Sequence, residues 1–141
     1  IKCGPEIIPA MIKELSASGL RVEQVVVISF SESVIKEMKA KAPEYTANWL
    51  CAFKRKDSGE VTPSMDQVLG TLERIEADGF SSNNRIPEPV LKAVSARGYP
   101  WHVWTLNNQE DVQRACNMGV ASVTTDVPAD VRDMLSGRHH E

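Results

Sequence analysis

Apolar positions follow two alternating rhythms along the chain. Between Pro5 and Ser18, the residues Ile7, Ile8, Met11, Ile12 and Leu15 form one stripe at helical spacing, and Gly19 stands where a helix commonly ends. Val25 to Phe30 is a β-branched run too short for a helix. Apolar on both faces, it suits a buried parallel strand. Ser31 is placed to cap the next helix, which turns Val34, Ile35 and Met38 inward and ends at Pro43.

The cycle then repeats. Tyr45 to Phe53 reads as a strand, and Lys54 to Glu60 as a charged loop with Asp57-Ser58-Gly59 as its turn. Ser64 and Gln67 have capping-box spacing ahead of a helix carrying Val68, Leu69, Leu72 and Ile75. Phe80 to Asn83 is a short strand, and Pro87 to Arg97 a helix with Val90, Leu91 and Val94 inward. Trp101 to Leu106 is a strand. Asn107 and Glu110 have the spacing of a second capping box, for a helix carrying Val112, Ala115 and Cys116. Val120 to Thr125 is the last strand, and Asp126 stands at or near the cap of a final helix through Leu135. Residues 1–136 read as one body, and the tail from Gly137 to Glu141, with His139-His140, as frayed.

Strict alternation of strand and helix implies a parallel sheet with right-handed crossovers. The pattern alone leaves two α/β architectures, a doubly wound sheet or part of a barrel. In either, chemistry sits at the carboxyl ends of the strands. Those ends are Phe30-Ser31, Phe53-Lys54, Ser82-Asn83, Thr105-Leu106-Asn107 and Thr125-Asp126.

Length narrows this. The chain has 141 residues, whereas a complete (β/α)8 barrel runs to about 250. Sixteen basic and nineteen acidic residues give a net charge of −3, which argues against nonspecific nucleic-acid binding. The apolar runs are strand-sized, far short of a membrane span. Cys3, Cys51 and Cys116 are too widely spaced for a zinc knuckle or a disulfide scaffold. As buried thiols, Cys51 and Cys116 favour a reducing compartment such as the cytoplasm.

The sequence holds no glycine-rich phosphate loop and no G-x-S-x-G elbow. His102, the one histidine outside the tail, reads as a satisfied interior group. Strand alternation puts His102, Trp104 and Leu106 on one face and Trp101, Val103 and Thr105 on the other. Trp104 lies near a carboxyl end, where its indole serves either as core or as the apolar wall of a small-ligand site. Asp126 reads first as a helix cap.

The order of several segments resembles the glycerophosphodiester phosphodiesterase family. They are Ile1-Lys2, Val25 to Phe30 with Ser31, Trp104-Thr105-Leu106-Asn107, and Gly119-Val120 through Thr125-Asp126-Val127-Pro128. The family shows a Glu-x-Lys strand end, a strand closing in Ser-Phe, Trp-Thr-x-Asn, and Gly-Val-Asp leading to Thr-Asp-x-Pro. Ala121 departs from the Asp of that last pattern. The family's His-Arg-Gly motif, Glu-x-Asp pair and second histidine have no counterpart here.

The resemblance implies a partial TIM (β/α)8 barrel, from the end of strand three through strand eight and its helix. It implies hydrolysis of glycerophosphodiesters to glycerol 3-phosphate and an alcohol, assisted by Mg²⁺ or Ca²⁺. The cation's ligands, and the histidine acid and base, belong to the amino-terminal part of the family pattern. Two positions inherit a role: Lys2 would set an ammonium on the phosphate, and Trp104 would line the glycerol side. A stretch without the reactive groups is expected to be inactive alone. Its open edges would be covered by further chain or by a second copy. A noncatalytic scaffold or binding domain is the competing reading.

Overall fold

The computed structural model describes residues 1–137. A short 3₁₀ turn leads into α1 (Ile8–Ala17), then β1 (Val26–Ser29), α2 (Glu32–Lys41) and β2 (Thr46–Cys51). A small hairpin, β3 (Lys54–Arg55) with β4 (Val61–Thr62), precedes α3 (Met65–Arg74). The chain continues through β5 (Gly79–Ser82), α4 (Glu88–Ala96), β6 (Trp101–Val103), α5 (Gln109–Asn117), β7 (Ser122–Val123) and α6 (Pro128–Leu135).

Five strands form one parallel sheet in the order β1-β2-β5-β6-β7. A doubly wound sheet reverses its strand order at a switch point. Here the order never reverses. With right-handed crossovers throughout, every connecting helix falls on the same side. That is the arrangement of a partial TIM barrel, and it decides between the two architectures.

Burial follows the same division. Register partners share a face. On the helix side Val27, Ala47, Trp49, Phe80, Trp101 and Val103 are buried against Ile35, Met38, Leu72, Val94 and Val112. On the concave side Val26 and Ile28 remain 53% and 44% exposed. Polar groups share that concave side: Asn48 beside Gly79, and Ser81, His102 and Ser122 in one row. A Cβ at Gly79 would stand 2.6 Å from Asn48 Oδ1, so only glycine fits against that side chain as it lies.

The structure corrects several local expectations. The loop from Lys54 to Glu60 is the turn of a hairpin, because Lys54 pairs with Thr62 and Arg55 with Val61. The strand expected through Leu106 stops at Val103. Beyond it the ladder no longer enforces a period of two, and Leu106 turns to the helix side with Trp101 and Val103. The cap of α5 is Asn108, whose Oδ1 accepts from Asp111 N at 2.8 Å, and not Asn107. The α6 cap is Val127, without a side-chain bond, and not Asp126. Ser31 and the Ser64–Gln67 box cap α2 and α3 as expected. Apart from Gly137, the tail with its two histidines lies outside the described residues.

Candidate functional site

The carboxyl ends of the strands are joined by side-chain bonds that run from loop to loop. At β1, the Ile1 nitrogen donates to Ile28 O at 2.6 Å, and Ser29 Oγ donates to Ile1 O at 3.0 Å. These bonds lay Ile1-Lys2 along the free edge of β1. Lys2 is exposed there.

Phe30 follows Ser29 directly. Its ring meets Trp104, just past β6, edge to face with centroids 5.5 Å apart. The Phe30 carbonyl accepts from Trp49 Nε1 at 3.2 Å, which fixes the chain as it leaves β1. Lys2 and Trp104 therefore stand at the same end of the sheet, connected through Ile1, Ser29 and Phe30. Trp104 is half-buried, and its Nε1 is buried without a hydrogen-bond acceptor among the described residues. A buried donor left unpaired costs about 1–3 kcal/mol.

The loops after β6 and β7 are tied by Asn107 and Asp126. Asn107 Nδ2 donates to Asp126 Oδ2 at 2.9 Å, and Asn107 Oδ1 accepts from Asp126 N at 2.9 Å and Thr125 Oγ1 at 3.1 Å. This explains why a Trp-Thr-x-Asn segment and a Thr-Asp-x-Pro segment occur in one chain. Each supplies half of one clasp, and the clasp sits beside Trp104. The reading of Asp126 as a cap missed this, because the partner lies nineteen positions away.

A second tie joins the loops after β2 and β5. Asn83 Oδ1 accepts from Phe53 N at 3.0 Å, and Asn83 Nδ2 donates to Phe53 O at 3.1 Å. The side chain thus imitates one more rung of the ladder.

His102 lies two residues below Trp104. Its Nδ1 is 2.7 Å from Ser122 Oγ, and partial burial lowers its pKa, which favours the neutral imidazole. It is hydrogen-bonded as expected, but only partly buried, on the concave face. Burial pushes the Cys51 thiol up to about 12, so that sulfur stays protonated and unreactive. Among the described residues no three His, Cys, Asp or Glu side chains stand together as a metal site. The described residues therefore do not by themselves fit the divalent cation that the resemblance implies. No described helix is long and apolar enough to cross a membrane.

Residues 2–130 match the model of the glycerophosphoryl diester phosphodiesterase family, and the chain belongs to that family. It is 27% identical to dermonecrotic toxin Hl-PLD1 of Hemiscorpius lepturus over 98% of this chain and 50% of the toxin. Its fold matches a phosphodiesterase of Oleispira antarctica, solved in complex with the product sn-glycerol-3-phosphate. That match has a TM-score of 0.75 and 20% identity, and covers 94% of this chain and 50% of that one. A glycerophosphodiester phosphodiesterase of Parabacteroides distasonis matches with a TM-score of 0.75 and 19% identity, over 97% of this chain and 56% of that one. The chain thus spans about half the length of these relatives.

Proposed function

We propose that the protein carrying this chain hydrolyses glycerophosphodiesters to glycerol 3-phosphate and an alcohol. In this reading the described stretch supplies one wall of the substrate pocket. Trp104 lines the glycerol side of the substrate with its indole. Lys2 places a cation by the phosphate, where a point charge with three donors suits the oxygens. The proton-transferring histidines, and the carboxylates holding Mg²⁺ or Ca²⁺, lie outside residues 1–137. The 141-residue chain has no turnover by itself. The exposed Val26 and Ile28 are covered in the assembled protein by further chain or by a second copy. The free thiols Cys3, Cys51 and Cys116 suit a reducing compartment.

The observation that carries this reading is the Phe30–Trp104 aromatic pair at the rim that the family segments build. The test is phosphorus NMR of glycerophosphocholine incubated with the full protein and Mg²⁺. Glycerol 3-phosphate and free choline are the expected products. Phosphocholine and glycerol would place the cleavage on the other side of the phosphorus and contradict the assignment.

A further inference from the structure

The chain carries a net charge of −3, yet one part of its reactive rim is wholly cationic. A cleft of about 340 Å³ is lined by Lys54, Arg55, Val61 and Arg85, with no carboxylate among its lining residues. The hairpin and the loop after β5 build it, both at the carboxyl ends of the strands. It is separate from Lys2 and Trp104, and neither residue lines it.

The arrangement is held in place without using up the charges. Lys56 N donates to Glu60 O at 2.8 Å and Gly59 N to Lys56 O at 2.9 Å, which closes the hairpin turn. Glu60, an acid of that turn, is taken by Lys56 at 2.9 Å. Arg55 spends one Nη1 bond on Gly59 O at 3.1 Å. Lys54 and Arg85 form no ion pair among the described residues. Asn83, two residues before Arg85, grips the backbone of Phe53, the residue before Lys54. That grip fixes the Arg85 loop against the root of the hairpin.

We propose that Lys54, Arg55 and Arg85 form an anion subsite that selects diesters whose leaving alcohol carries a phosphate of its own. This rests on the hydrolase reading above and names the head group that it leaves open. Three like charges near one cleft repel one another. Around this cleft no lining carboxylate offsets their field, and guanidinium forks match phosphate oxygens in pairs. A choline head, bearing a fixed positive charge, is disfavoured at the same place. The rim field also draws in anionic substrate, an effect that salt weakens.

The test has two arms, both on the full protein. In the first, kcat/KM is measured for glycerophosphoinositol 4-phosphate and for glycerophosphocholine. The ratio favours the phosphorylated head group. It falls about tenfold in Lys54→Gln/Arg85→Gln and is retained in Lys54→Arg, which keeps the charge and adds a fork. In the second, inositol 4-phosphate, the leaving alcohol alone, is titrated calorimetrically, with inositol as the uncharged control. Saturable binding of the phosphate ester that weakens about tenfold in the Gln variant supports the subsite. No saturable binding, or equal affinity in the variant, overturns it. If neither diester is turned over, the hydrolase reading fails, while the titration still decides whether the cleft binds a phosphate.

Discussion

Phe30 and Trp104 meet edge to face, their ring planes at 80° and centroids 5.5 Å apart, although β2 and β5 separate their strands in the sheet. A flat sheet would hold the two strands about 14 Å apart. The contact is therefore a direct sign of curl, and it places an aromatic pair over the concave face at the end where a barrel does its chemistry. Phe30 is still 55% exposed, so the pair has a free side for a ligand.

Trp104→Ala in the full protein is expected to raise KM about tenfold and to change kcat little, since a wall that binds substrate and transition state alike contributes uniform binding. Trp104→Phe keeps a smaller apolar face, so it falls between. Steady-state kinetics on glycerophosphocholine separates the three proteins. A double-mutant cycle with Phe30→Ala should show about 0.5–1.5 kcal/mol of coupling for the edge-to-face pair.

Asn107→Ala is expected to destabilise the fold by about 1–2 kcal/mol, because three exposed hydrogen bonds between two loops are lost together. Urea unfolding measures this directly. Asn108→Ala removes only a helix cap and should cost about 1 kcal/mol. Its effect should add to that of Asn107→Ala, whereas Asp126→Ala and Asn107→Ala should not be additive.

His102 predicts a pH dependence. Burial lowers its folded pKa below the ordinary 6.5. The unfolded chain therefore takes up the proton more readily, and stability is fully present above pH 6.5 and is lost as pH falls toward the folded pKa. Urea midpoints of wild type and His102→Gln, compared between pH 7.5 and 5, should converge on the acid side. Parallel profiles would assign the acid loss to other groups.

The concave face predicts association. Val26, Ile28 and Phe30 leave apolar surface open on β1. The 141-residue chain, produced alone, should self-associate and bind a hydrophobic dye. A monodisperse monomer without dye binding in analytical ultracentrifugation would contradict this.

Much of the fold was legible in the sequence because each helix carries a stripe and a stop of its own. The Ser64–Gln67 box and the Val68-Leu69-Leu72 stripe needed no tertiary information. The parallel sheet followed from alternation, but the choice of a barrel segment over a doubly wound sheet did not. That choice depends on strand order, which local periodicity does not encode.

The site was less legible. Trp104 stood out by residue type and position, and the Phe30 contact was invisible because it spans the sheet. Asn107 and Asp126 were noticed and given the wrong task. Both residue types favour caps, and the clasp between them exists only once β6 and β7 lie side by side. The hairpin was missed because two-residue strands carry no usable period. Asn83 and Phe53 stood out only as strand ends, since a side chain pairing with a backbone thirty residues away leaves no local pattern.

The central claim is a division of labour: this stretch offers substrate an aromatic wall and a cation, while the groups that break the bond lie elsewhere. Turnover of glycerophosphocholine by the purified 141-residue chain with Mg²⁺, beside the full protein at equal concentration, tests it most directly. The full protein is expected to release glycerol 3-phosphate and the 141-residue chain none above background. Turnover by the chain alone would contradict it.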